Sequence, residues 1–307
     1  MNRIAAIIVT YNRKELLQTC VEHLLAQEGA VCDILIVDNA STDGTYETIK
    51  PFLGGRVRYF NTGENSGGAG GFNFGMKKAL QAGYELLWLM DDDTQPCPDA
   101  LAKLLAADGA LKGEYGFLSS TALWTDGAPC RMNRQKICKG RRKCETPAAQ
   151  DIVPIYQATF VSFLIQASDV RRFGLPIKEF FIWGDDIEYT RRIAVRGGKT
   201  GYLVAQSRVV HAMKSNTGSN IAVDRTERLW QYAYAYRNEC YLYRKEGFFG
   251  VCHYLARCGR DFFRILLLAR GQRAKRFGVM FSSVWRGLSF HPQIEFAPED
   301  DLPEETR

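Results

Sequence analysis

The first ninety residues contain three runs that are apolar from end to end: Ile4-Ala5-Ala6-Ile7-Ile8-Val9, Ile34-Leu35-Ile36-Val37 and Leu86-Leu87-Trp88-Leu89-Met90. A strand with one wet face alternates polar and apolar side chains, whereas a strand apolar on both faces is buried on both. Between the first two runs, Leu16, Leu17, Cys20, Val21, Leu24 and Leu25 recur at the spacing of one buried helix face. A further strand, Arg56 to Phe60, is followed by a helix expected from Phe72 to Ala82, and another helix is expected from Pro98 to Ala107. Buried strands separated by single helices imply an α/β fold, a mostly parallel sheet with helices on both faces.

In such sheets ligands lie beyond the carboxyl ends of the strands. Thr10-Tyr11-Asn12-Arg13, Asp38 and Asp91-Asp92-Asp93 all sit there. Side chains alternate along an extended segment, so Asp91 and Asp93 can share one side while Asp92 points to the other. Two carboxylates on one side can chelate a hard divalent cation, although an isolated acidic triplet is more often a solvated turn.

Three other places alter those odds. Asn65-Ser66-Gly67-Gly68-Ala69-Gly70-Gly71-Phe72 has too many glycines for an ordinary loop, yet Asn73 breaks the dinucleotide fingerprint and Met76-Lys77 breaks the Walker spacing. It reads as a backbone close to a sugar or diphosphate, or as a flexible turn. Trp183-Gly184-Asp185-Asp186-Ile187-Glu188 sets three acids at the mouth of a helix; capping accounts for one or two, and a general base for another. His211 follows a strand and, with Asp91 and Asp93, would give a mixed O/N site suited to Mn²⁺ or Mg²⁺.

The remaining sequence is less specific. At 307 residues, 46% apolar, 24% charged and +6 overall, the chain is ordinary globular material. No signal-peptide pattern or membrane-length apolar run is present, so a cytoplasmic protein is expected. Asp126 to Gln150 breaks the pattern as a basic, Cys-bearing loop near the site. Cys130, Cys138 and Cys144 lack zinc-knuckle spacing, and free thiols are expected. Residues 224–290 are helical, aromatic and basic: ten Lys/Arg against three acids between Arg237 and Arg276. This appendage is either packed on the catalytic domain or drawn to anionic lipid on the inner face of the cell membrane, and the two readings are compatible. Nucleic-acid binding rests on charge alone. Residues 291–307 read as a frayed acidic tail, and a homo-oligomer is left open.

Val9 to Arg13, Val37 to Thr45, the triple Asp and Asp185 to Glu188 together resemble family 2 inverting glycosyltransferases with the GT-A (Rossmann-like) fold. The likeness runs from residue 4 to about 215, within a catalytic domain of residues 1–223, and the glycine run makes it most similar to bacterial galactofuranosyltransferases. The resemblance implies transfer of galactofuranose from UDP-galactofuranose to a hydroxyl of a cell-surface or lipid-linked glycan, with dTDP-rhamnose as the alternative donor. It gives Thr10, Tyr11 and Asp38 to the nucleotide base and ribose, with Asn12 and Arg13 beside them. Asn65, Gly67, Gly68, Gly70 and Asp92 fall to the donor, and Trp183 to a sugar face. Asp91, Asp93 and His211 fall to the metal, Asp186 to the catalytic base, and Asp185 and Glu188 to orienting the acceptor. A nucleotidyltransferase would carry a basic Gly-rich loop after the first strand, which is absent here. From another class, a non-catalytic sugar-nucleotide-binding scaffold remains a competitor.

Overall fold

A computed structural model describes residues 3–138 and 151–297. One ten-stranded sheet forms the centre. Its strands are β1 (Ile4–Thr10), β2 (Asp33–Asp38), β3 (Val57–Asn61), β4 (Leu86–Asp91), β5 (Thr94–Pro96), β6 (Phe117–Leu123), β7 (Lys136–Ile137), β8 (Ile152–Gln157), β9 (Phe163–Gln166) and β10 (Gly201–His211). The order is β3-β2-β1-β4-β9-β6-β10-β8-β7, with β5 also pairing β10. The α/β class is as expected, and β3, β2, β1 and β4 run parallel. Beyond β4 the sheet is mixed, because β9 enters antiparallel to both β4 and β6.

The all-apolar strands divide their side chains between two layers. Ala6, Ile8, Ile34, Ile36, Trp88 and Met90 meet α1 (Lys14–Leu25) and α4 (Ala100–Ala110) through Leu17, Val21, Leu24, Leu101 and Leu104. Ala5, Ile7, Val9, Leu35, Val37, Leu87 and Leu89 meet α3 (Gly67–Gln81) through Phe72, Met76, Ala79 and Leu80. Burial on both faces is what the missing polar residues required.

Helix α3 starts at Gly67, five residues before the expected Phe72. Glycine is a poor helix former, and packing overrides that preference here. A Cβ on Gly71 would stand 2.4 Å from Val9 Cγ1, and one on Gly75 would stand 2.6 Å from Ile7 Cγ2. The glycines let the helix lie close against β1.

After α2 (Thr45–Ile49), α5 (Ala167–Phe173) and α6 (Asp185–Arg191), the chain ends in three helices, α7 (Leu229–Lys245), α8 (Gly247–Leu268) and α9 (Arg273–Ser289). The described start of the expected frayed tail is anchored: Glu295 meets Lys77 at 2.5 Å, and its carbonyl accepts from Leu175 N at 2.8 Å. Residues 298–307 of that tail, and 139–150 of the basic loop with Cys144, lie outside the described residues. Cys138 is disulfide-bonded, contrary to the expectation of free thiols, whereas Cys130 is free.

Candidate active site

The strand ends of β1 and β4 open into a cavity of about 720 Å³. It brings together Thr10, Tyr11, Arg13, Asn65, Gly67, Gly68, Asp91, Asp92, Asp93, Trp183, Asp185, Asp186 and His211. Four expected site residues stand outside its lining. Asp38 is fully buried and accepts from Tyr59 Oη at 2.5 Å and Ser41 N at 2.8 Å. Asn12, at φ 53°, ties the loop after β1 to the next through Ser41 Oγ at 2.8 Å and Thr42 N at 2.7 Å. Gly70 packs within its helix against Ser66. Glu188 has no exposure and is gripped by Arg192 (Nη2 to Oε2, 2.5 Å) and by Arg196, a structural anchor in place of the expected contact with an acceptor.

The acidic triplet is not one extended run as expected: β4 ends at Asp91, and Asp92 and Asp93 form the turn into β5. Thr10 Oγ1 donates to Asp92 Oδ2 at 2.8 Å, and Arg13 Nη1 bridges Asp92 and Asp93 at 3.0 Å each. Burial opposes the Arg13 charge, but the two carboxylates outweigh it and hold its pKa above normal. Burial lifts Asp92 to about 7 despite Arg13. Burial and the Asp93 charge lift Asp91 to about 6.

His211 reaches these acids because β5 folds back on β10, setting Thr94 opposite His211. One ligand atom from each of Asp91, Asp93 and His211 falls within 4.8 Å of the others. Burial would lower the histidine, but hydrogen bonding to Asp93, 2.8 Å from Nε2, with Cys130 and Asp91, pushes it up to about 10. Burial alone would raise Asp93; its histidine partner holds it below the carboxylate range.

The second layer fixes the histidine. Cys130 Sγ donates to Asn133 Oδ1 at 2.9 Å and Asn133 Nδ2 donates to Thr159 Oγ1 at 2.9 Å, so Oδ1 is an acceptor. It lies 2.8 Å from His211 Nδ1, which therefore carries a proton, as metal-ligating histidines commonly do on the ring nitrogen away from the metal. Asp93 Oδ1 is buried and meets no donor among the described residues besides His211 Nε2. An oxygen lone pair, a second carboxylate and an oriented imidazole fit a divalent cation. Asn133 and Cys130 lie in the irregular 126–138 segment, and no motif marks them in sequence.

Asp185 and Asp186 open α6. Burial raises Asp185 to about 6, and burial with the Asp185 charge raises Asp186 well above the carboxylate range. The approach to this helix is strained: Phe181, Trp183 and Gly184 all have positive φ, at 63°, 63° and 92°. Contacts from α7 and α3 hold it. Asn238 Nδ2, fully buried on α7, donates to the carbonyls of Phe180, Ile182 and Trp183 at 3.0, 3.3 and 2.8 Å. Gly67 lies so close that a Cβ there would stand 2.1 Å from Phe181 O.

Helices α7 and α8 also contribute a wall, with Trp230, Gln231, Tyr232, Glu239 and Arg257 facing the cavity. Trp183 packs edge-to-face on Tyr232 at 5.1 Å with Arg228 over its ring, while Trp230 stays 49% exposed at the rim. The segment expected as an appendage is part of the site.

Residues 5–112 match the model of "Glycosyl transferase family 2". Galactofuranosyltransferase GlfT1 of Mycobacterium tuberculosis is 33% identical over 206 residues, covering 64% of this chain and 65% of that protein, under two thirds of its length. GlfT1 of Mycolicibacterium smegmatis is 26% identical over 257 residues, covering 80% and 84%. GalNAc-T7, solved with UDP, GalNAc and Mn²⁺, superposes with TM-score 0.59 at 16% identity, covering 80% of this chain and 48% of that one. Mannosyltransferase PcManGT of Pyrobaculum calidifontis, solved with GDP-Man and Mn²⁺, gives 0.55 at 16%, covering 94% and 76%. At that identity the solved structures speak to the fold, which is GT-A. The chain thus carries a family 2 glycosyltransferase domain over residues 5–112, on a GT-A fold, and is similar to GlfT1.

Proposed function

We propose that the chain transfers galactofuranose from UDP-galactofuranose to a hydroxyl of a cell-surface or lipid-linked glycan, with inversion at the anomeric carbon. The carrying observation is the single cavity that holds the Asp91-Asp93-His211 cluster together with Asp186. The choice of sugar draws on the relatives named galactofuranosyltransferase.

In this reading Thr10 and Tyr11 flank the nucleotide, while Gly67 and Gly68 present the N-terminus of α3 to the donor; such helix ends favour anions. Asp91, Asp93 and His211 would hold Mn²⁺ or Mg²⁺, which when bound neutralises charge on the departing diphosphate. Asp186 accepts the proton of the acceptor hydroxyl as its oxygen bonds to the anomeric carbon and the nucleoside diphosphate leaves with the bonding pair. Asp185 orients that hydroxyl, and Trp183 with Trp230 offers aromatic surface to the acceptor sugar.

The test is a thermal-shift panel of UDP-galactofuranose, UDP-hexopyranoses and dTDP-rhamnose, each with Mn²⁺, followed by nucleotide release with a glycan acceptor. Stabilisation by UDP-galactofuranose with acceptor-dependent release of UDP is expected. Stabilisation by dTDP-rhamnose alone would overturn the donor. Donor binding without any nucleotide release would make the chain a binding scaffold.

A further inference from the structure

Helix α8 has two opposed faces. Gly250, Tyr254, Asp261 and Ile265 point inward, and Arg257 on that side reaches the cavity. The outward stripe Phe248, Cys252, Leu255, Phe263 and Leu266 recurs at helical spacing and carries no charge. Phe248 and Phe249 are each 77% exposed, Leu267 74%, and Trp285 of α9 76%. The two helices form one surface: Phe262 contacts Phe277 and Phe281 at 4.9 and 6.4 Å, and Phe263 at 5.6 Å. Soluble proteins rarely leave so many large side chains together in water.

The charges beside this surface have one sign. Residues 247–289 hold eight Lys/Arg and one acid, Asp261. That acid is buried and already shared by Tyr236, Arg260 and Arg264. Arg260, Arg270, Arg273 and Lys275 remain exposed at its margin. Among the described residues no helix is long and apolar enough to cross a membrane. An aromatic and aliphatic stripe with a basic rim suits a helix lying in the plane of a bilayer interface.

We propose that the outer faces of α8 and α9 dock on an anionic lipid bilayer, with Phe248, Phe249, Leu267 and Trp285 entering the headgroup boundary and the flanking arginines meeting lipid phosphates. The cavity lies on the other side of α8, where Arg257 lines it. Vesicle binding is read without any reaction, so it stands or falls apart from the donor assignment.

The experiment is co-sedimentation of the full chain with vesicles of phosphatidylcholine alone and of equimolar phosphatidylcholine and phosphatidylglycerol. Binding to the anionic vesicles at least about tenfold tighter, and weakened by salt, is expected. The triple variant Phe248→Ser, Leu267→Ser, Trp285→Ser should lose that binding while keeping its melting temperature and turnover of a soluble acceptor. No binding by the wild type, or unchanged binding by a folded triple variant, overturns the proposal. So does a concentration-dependent dimer, seen by sedimentation velocity, that the triple variant abolishes without any lipid binding by the wild type; that outcome gives the face to a second copy of the chain.

Discussion

Arg191 grips Glu246 through two parallel hydrogen bonds, Nε to Oε1 at 2.6 Å and Nη2 to Oε2 at 2.5 Å, with both side chains only 7% exposed. Arg191 ends α6, the helix whose first turn carries Asp185 and Asp186; Glu246 joins α7 to α8. Tyr156 and Tyr243 sandwich the guanidinium at 5.3 and 5.5 Å. The pair fastens the helix of the candidate base to the C-terminal region, so that region is integral to the site.

Glu246→Ala should therefore destabilise the protein strongly. Breaking a buried pair leaves a charge unpaired, at about 3–5 kcal/mol. For a chain of this size that corresponds to a loss of about 5–8 °C in melting temperature, measurable by calorimetry. The double variant Arg191→Met, Glu246→Leu should recover much of the loss, since the cost lies in the orphaned guanidinium. An intact melting temperature in the single variant would remove the pair from the stability argument.

Asp186→Asn should cut turnover by about 10²- to 10⁴-fold while leaving donor affinity nearly unchanged, as expected for loss of a general base. The pH dependence follows from the same environment. Burial and the Asp185 charge raise the Asp186 pKa, so as the proposed base it stays protonated, and inactive, to a higher pH than an ordinary carboxylate. Activity should fall as pH drops through that raised value. In Asp185→Asn the neighbouring charge is gone, so the acid limb of the residual activity should move to lower pH. A limb that stays in place would separate Asp185 from the titration.

Asn238→Ala tests the clamp on the strained approach to α6. The carbonyls of Ile182 and Trp183 lose the Asn238 donor, and that of Phe180 loses one of several, so the positive-φ residue Trp183 is less firmly held. Misplacing a catalytic group by about 1 Å can cost about 10²-fold in rate. The expected result is a fall of that order in kcat with little change in donor KM. Equal kcat in variant and wild type would show that α6 is positioned without Asn238.

Neighbouring glycines should behave differently. Gly67→Ala places a methyl group against Phe181 O at a φ of +71°, combining backbone strain with overpacking of about 1–3 kcal/mol. Gly68 has open space and no positive φ, so Gly68→Ala should keep the melting temperature. Because Gly68 lines the cavity, its substitution should instead weaken donor binding in calorimetry. Equal loss of stability in the two variants would refute this division.

Much of the central sheet could be read from residues 4–91, because a strand buried on both faces leaves an unbroken apolar run. Asp91 and Asp93 do come together, but through the turn after β4 and not through the expected pleat. The glycine run was half legible: four glycines require a close approach, and Gly71 makes it to Val9 of β1, while Gly67 and Gly68 line the cavity. His211 could be suspected but not placed, since β5 is three residues long and includes Pro96. Asn238 was invisible, for an asparagine within a helix has no local signal until α7 docks on the loop it clamps. Periodicity reports which face of a helix is apolar, not which element covers it.

The candidate metal site makes the most discriminating prediction, because its proposed ligands and their support can be varied separately. Asp93→Ala removes a carboxylate whose Oδ1 meets only His211 Nε2 among the described residues, so affinity for UDP-galactofuranose with Mn²⁺ should fall toward the affinity measured without metal. Asn133→Leu leaves every ligand in place but removes the acceptor that keeps the proton on His211 Nδ1. The imidazole can then turn or protonate its other nitrogen, and loss of such a partner typically weakens metal binding about 10- to 100-fold. Titrating Mn²⁺ into wild type and variant by calorimetry gives that ratio directly. Donor affinity measured without metal should be the same in both. If Asn133→Leu bound Mn²⁺ as tightly as the wild type, the histidine would be oriented by Asp93 alone, and the Cys130-Asn133-Thr159 chain would serve only to pack the loop over the site.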